Sequence, residues 1–155
     1  MKILFLGDVV GISGCSKIMN NLRSEIEKKK IDFVVVNGEN SAEPGVGLAE
    51  KTCKDFFNCG VNVITSGNHV WDQKEIMSYI DKENRLLRPF NLFEPSPGKG
   101  FEIYKTPNDI KVGVLNLMGN VFMKKCEDVF ETAKKFLKKH SLKEDYDLLV
   151  VDFHG

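Results

Sequence analysis

The chain has 155 residues, the size of one ordinary domain. Leu, Ile, Val and Phe make up about a third of it, well above the ~20% below which chains stay disordered. The 22 basic residues balance 22 acidic ones, so no bulk field exists for coating nucleic acid or an anionic membrane.

No uncharged apolar run approaches the ~18 residues of a spanning helix, and the short apolar start meets Asp8 too soon for a secretory signal. A cytoplasmic protein with no membrane partner is expected. Cys15, Cys53, Cys59 and Cys126 form no Cys-x-x-Cys pair, and no histidine joins them at finger spacing. That spacing argues against structural zinc and for ordinary thiols in a reducing compartment.

Residues 2–7 are a short apolar run that reads as a buried strand. Ser16 is placed to cap a helix through Lys29, with Ile18, Leu22 and Ile26 on one face. Residues 33–36 are four consecutive strand formers, suited to a strand covered on both faces. Residues 48–59 read as a helix with Phe56 and Phe57 inward, stopped by Gly60. Residues 61–65 form another β-branched strand. Asp72, with Glu75 three positions on, resembles a capping box for a helix through about Ile80.

The character then changes. Residues 88–100 carry Pro89, Pro95, Pro97, Gly98 and Gly100, which predicts a loop. Residues 101–104 and 110–117 look like an antiparallel pair around Pro107-Asn108-Asp109. Val129, Phe130, Ala133, Phe136 and Leu137 mark an amphipathic helix, with acids early and lysines late as the helix dipole favours. Its lysines read as a solvated face, and His140 as a solvated cation at its end. Residues 148–153 form the last strand. The alternation predicts an α/β fold with mostly parallel strands in a sheet covered by helices on both sides.

The informative residues stand directly after the strands: Gly7-Asp8, then Asn37-Gly38-Glu39-Asn40, then Ser66-Gly67-Asn68-His69, and finally Asp152-Phe153-His154. Strand ends of a parallel sheet point one way, and ligands of open α/β sheets bind at that edge. Asp8, Glu39, Asn40, Asn68, His69 and His154 are therefore expected to converge. Carboxylates, amides and imidazoles suit iron, manganese or zinc rather than a soft thiolate site. A carboxylate such as Glu39 can bridge two cations, and a metal pair can clamp a phosphoryl group. Each piece alone also has a structural reading as a turn, a cap or a loop closed by side-chain hydrogen bonds.

Taken together, Gly7-Asp8-Val9-Val10-Gly11, Asn37-Gly38-Glu39-Asn40, Gly67-Asn68-His69 with Trp71-Asp72, Leu87-Arg88-Pro89, Asn116-Leu117-Met118-Gly119 with Val121-Phe122-Met123, and Val151-Asp152-Phe153-His154 resemble the YmdB-like branch of the calcineurin-type metallophosphoesterases. The resemblance runs in order along the whole chain. It implies a layered metallophosphoesterase-type α/β fold and a cytoplasmic phosphodiesterase acting on cyclic nucleotides, 2′,3′-cyclic AMP among them. It implies two divalent metal ions, iron foremost, with manganese or zinc as alternatives. By the same resemblance Asp8 and Asn40 bind the first metal, Glu39 bridges both, Asn68 and His154 bind the second, and His69 is the general acid.

The family supplies two further ligands from a Gly-x-His-x-His element downstream of the His154 position. The resemblance thus implies a single domain over 1–155 whose C-terminal part lies outside this sequence, cut after the strand that precedes His154. An apolar final strand without its neighbour predicts self-association. The alternative is a non-catalytic binding or regulatory module that keeps the fold without the full site. A nucleotide-cofactor domain is disfavoured because Gly7, Gly11 and Gly14 lack the Gly-x-Gly-x-x-Gly spacing. An α/β-hydrolase is disfavoured because Gly11-Ile12-Ser13-Gly14 lacks the Gly-x-Ser-x-Gly elbow.

Overall fold

The computed structural model describes residues 1–123 and 125–155. In chain order the elements are β1 (Ile3–Leu6), α1 (Gly11–Lys29), β2 (Phe33–Asn37), α2 (Glu50–Cys59), β3 (Val63–Thr65), α3 (Ile76–Tyr79), β4 (Phe101–Lys105), β5 (Lys111–Met118), α4 (Val129–Lys139) and β6 (Leu148–His154).

The strands form two sheets rather than the single covered sheet expected. The first is parallel in the order β1-β2-β3, with Leu6 beside Val36 and Val36 beside Ile64. The second has the order β4-β5-β6: β4 is antiparallel to β5, and β6 is parallel to β5 with Met118 beside His154. The antiparallel pair around Asp109 is as expected, with Asp109 at φ 63° closing the turn.

Side-chain alternation explains the layering. Val34, Val36 and Ile64 face one way and pack with Leu22 of α1 and Cys53 and Phe56 of α2. Phe33, Val35 and Val63 face the other way and meet Val112 and Val114 of β5. Leu115 and Leu117, on the opposite face of β5, pack with Val129 and Phe136 of α4. The result is helix, sheet, sheet, helix. β2 is buried along its whole length because both of its faces are covered. All four cysteines are free and buried.

Five local expectations shift. β1 is an edge strand of the described sheet, and Ile3 and Phe5, which share a face with Phe33 and Val35, are 37% and 43% exposed rather than buried. α1 starts at Gly11 rather than at Ser16, and its N-cap Val10 offers no side-chain cap. α3 is one turn without a side-chain cap; Asp72 is spent on His69, and Glu75 Oε1 instead accepts from the N–H of Glu50 that opens α2. In α4 the buried residues are Val129, Thr132 and Phe136, whereas Phe130 and Leu137 are exposed. His140 is also packed rather than simply solvated: its ring stacks on Phe136 at 4.6 Å and lies 4.8 Å from Phe101. Among the described residues no helix is long and apolar enough to cross a membrane.

Candidate metal centre

The two sheets bring their polar strand ends to one place. The segment after β1 lies beside the segment after β2: Val9 N–H donates to Asn37 O at 3.0 Å, and Gly11 N–H to Asn40 O at 2.8 Å. The segment after β3 is tied to the same region by Gly38 N–H to Thr65 O at 3.0 Å. From the second sheet, Asp152 and His154 at the end of β6 project across to meet β2 and the turn after it.

Five of the six residues expected at the site make contacts there. Asn40 Nδ2 donates to Asp8 Oδ2 at 2.7 Å. His154 Nε2 lies 3.0 Å from Glu39 Oε2 and 3.2 Å from Asn68 Oδ1. Glu39 is 1% exposed. Apart from the His154 imidazole at 3.0 Å, the buried Glu39 Oε2 has no hydrogen-bond partner among the described residues. Gly67 forms the floor of this cluster. A Cβ there would fall 1.6 Å from Glu39 Oε2 and 2.6 Å from His154 Nε2, so only glycine leaves both groups their positions.

The charges are consistent with a site short of positive charge. The Glu39 carboxylate beside His154 raises the imidazole above its ordinary value, against the effect of burial. Burial raises the Asp8 carboxyl, and the Asn40 hydrogen bond works the other way. A buried carboxylate needs a partner charge, and among the described residues one imidazole faces the buried Glu39; Asp8 is exposed and is hydrogen-bonded by a neutral amide.

The sixth residue, His69, sits on the same loop as Asn68 but turns its ring to Asp72, Nδ1 to Oδ2 at 2.6 Å. A carboxylate only accepts, so it holds a proton on Nδ1 and leaves Nε2 outside this contact.

Among the described residues no three His, Cys, Asp or Glu side chains gather into a ready-made metal cluster. The convergent set is mixed, with asparagine amides beside the carboxylates and the imidazole. Its oxygen and nitrogen donors, its orphaned Glu39 oxygen and its glycine floor fit divalent cations of the iron, manganese or zinc type. Three participants have roles here that sequence reasoning did not assign. The spacing of Asp72 suggests a helix cap, which hides its contact with His69. Asp152, an acid inside an apolar strand, is 7% exposed and accepts from Asn37 Nδ2 at 2.8 Å. Asn116 donates to Ser66 O at 2.8 Å, tying β5 to the loop that carries Asn68.

Two face-to-face sheets covered by helices, with such donors at their common edge, define a phosphatase-type α/β fold. The chain belongs to the family described as YmdB-like protein, whose model matches residues 4–155. It is 38% identical over 155 residues to a Bacillus subtilis (strain 168) protein named 2′,3′-cyclic-nucleotide 2′-phosphodiesterase, covering 100% of this chain and 57% of that one. It is similar to a crystal structure of a novel phosphatase from Mycoplasma pneumoniae (TM-score 0.87, 35% identity, 99% of this chain and 55% of that one). A hypothetical protein from Thermus thermophilus superimposes as well (TM-score 0.87, 28% identity, 99% of this chain and 57% of that one). The chain therefore spans little more than half the length of the relatives it matches.

Proposed function

We propose that this chain carries the metal-binding and proton-donating groups of a phosphodiesterase that hydrolyses cyclic nucleotides of the 2′,3′-cyclic AMP type. The observation that carries this reading is the Glu39–His154 contact, 3.0 Å across two sheets, made by a buried Glu39 oxygen that has no other hydrogen-bond partner among the described residues. The name of the Bacillus subtilis relative supports the substrate class.

Asp8 and Asn40 would hold one divalent cation, Asn68 and His154 a second, and Glu39 would touch both. Two such ions, iron foremost and manganese or zinc otherwise, supply Lewis acidity and a nucleophile at neutral pH when bound. Asp8 and Glu39 lend the negative charge that attracts cations to this edge. Asp72 holds the His69 ring through its Nδ1–H, and the doubly protonated ring would give its Nε2 proton to the leaving ribose oxygen, ending as the neutral Nδ1–H imidazole. The substrate is a small molecule, so a chain without net charge needs only local positive charge to bind it.

A second reading has its own observation. Without three His, Cys, Asp or Glu side chains together among the described residues, the centre needs further ligands. We propose that they come from polypeptide of the kind the longer relatives carry outside the shared portion. The chain by itself then binds cations weakly and acts as a binding module.

The test is hydrolysis of 2′,3′-cyclic AMP with excess Mn²⁺ or Fe²⁺, run on this chain and on a chain extended by the remaining portion of the Bacillus subtilis relative. Turnover is expected in the extended chain and should be lost in His154→Ala. Equal rates in the extended chain, in His154→Ala and in buffer would overturn the proposal.

A further inference from the structure

Asn37 touches every segment that carries a proposed ligand of the first sheet's β1 and β2 ends, and it also reaches β6. Its main-chain oxygen accepts from Val9 N–H at 3.0 Å. Gly7 packs against it so closely that a Cβ on Gly7 would fall 2.7 Å from Asn37 Cβ. Its Oδ1 accepts from the Glu39 N–H at 3.2 Å, and its Nδ2 donates to Asp152 Oδ2 at 2.8 Å. Asn37 is 3% exposed. Along β6, His154 lies two residues past Asp152 on the same face; along the other strand, Glu39 lies two residues past Asn37.

An asparagine amide can turn over with little change of shape. Here its two ends are not equivalent. Asp152 accepts only, and the Glu39 N–H donates only, so the carboxylate fixes which end of the amide faces the Glu39 main chain. A pair of neutral groups would join the sheets without burying a charge, which is unfavourable unless the charge is well partnered. The carboxylate is therefore unexplained by sheet packing alone.

We propose that Asp152 is a positioning residue for Glu39, acting through Asn37. The pair sets the distance between the sheets at which Glu39 and His154 face each other. The relay stands on the hydrogen bonds alone; its consequence for cation binding rests on the metal-centre reading above.

The test has two readouts on the same proteins. The first is hydrogen exchange of the Glu39 amide, monitored by NMR in metal-free protein. The second is Mn²⁺ titration of the chain. Asp152→Ala does not touch Glu39, yet it should speed exchange of the Glu39 amide by at least about tenfold while amides in the middle of β2 keep their rates. Where Mn²⁺ binds, its affinity should fall by about 10–100-fold, the usual effect of losing a group behind a ligand.

Asn37→Asp alone sets two carboxylates against each other and should weaken Mn²⁺ binding similarly. The double variant Asn37→Asp with Asp152→Asn reverses the pair. The amide introduced on β6 donates to the carboxylate introduced on β2, whose other oxygen accepts from the Glu39 N–H. Mn²⁺ affinity should then return to within about threefold of the unaltered chain. Unchanged Glu39 exchange in Asp152→Ala, or a double variant no better than Asn37→Asp, would overturn the proposal. If exchange responds as expected but neither the unaltered chain nor the chain extended by the remaining portion of the Bacillus subtilis relative shows saturable Mn²⁺ binding, the relay holds and the metal-centre reading is what fails.

Discussion

His69 Nδ1 lies 2.6 Å from Asp72 Oδ2, in a turn closed by the Asp72 N–H to His69 O hydrogen bond of 3.0 Å. A residue spaced like a helix cap is thus the partner of the proposed proton donor. In the extended, active chain, His69→Ala should keep its cations and lose about 10²–10⁴-fold in turnover of 2′,3′-cyclic AMP. The loss should shrink for a nitrophenyl ester, whose leaving oxygen needs no proton. Asp72→Asn should act in the same direction but less. Equal losses on both substrates would remove His69 from proton donation.

Gly67 makes a separate prediction. Because a Cβ there overlaps Glu39 Oε2 and His154 Nε2, Gly67→Ala should push both side chains out of register. Mn²⁺ affinity should fall at least about tenfold, with the thermal midpoint shifting by only a few degrees, about what ~1 kcal/mol represents in a domain this size. A variant that binds Mn²⁺ as the unaltered chain does would show that the cradle plays no part in cation binding.

Acid sensitivity is expected at an ion pair away from the site. Arg85 grips Glu83 with two parallel bonds, Nε to Oε1 at 2.8 Å and Nη2 to Oε2 at 2.7 Å, and its guanidinium lies 3.9 Å over the Phe57 ring. The Arg85 hydrogen bonds hold the Glu83 carboxyl below its usual range. A depressed carboxyl contributes stability above its unfolded value of about 4.3 and loses it as pH falls through the folded value. Glu83→Gln should therefore be less stable than the unaltered chain at pH 6. The urea midpoints of the two should converge at about pH 3. A constant gap across that interval would mean that the charge of Glu83 is not what stabilises.

Much of the fold was legible locally, because strand formers and turn residues act over short stretches. The run before Asn37 reads as a doubly covered strand and is one. The division into two sheets was not legible. An apolar strand needs a cover on each face, but its own residues do not say whether a helix or another sheet provides it. The convergence of Glu39 and His154 was legible as polar residues after strands, even though those strands lie in different sheets. Asn37 and Asp152 were hidden because their role is to each other, across 115 positions of sequence.

The α4 stripe shows the same limit. Helical spacing alone admits two overlapping apolar stripes, one through Val129 and Phe136 and one through Phe130 and Leu137. Tertiary packing chose the first. Phe136→Ala should cost about 3–5 kcal/mol in chemical denaturation, whereas Phe130→Ala, at a position 71% exposed, should stay within about 0.5 kcal/mol. The reverse order would contradict the packing described for this helix.

The most direct measurement of the proposed metal centre is anomalous X-ray scattering from crystals grown with Mn²⁺. A peak is expected at coordination distance, roughly 2.0–2.3 Å, from both Glu39 Oε2 and His154 Nε2, with a second peak beside Asp8 and Asn40 as the site fills. Peaks only elsewhere on the surface, with Glu39 and His154 still in contact at about 3 Å as they are here, would contradict it.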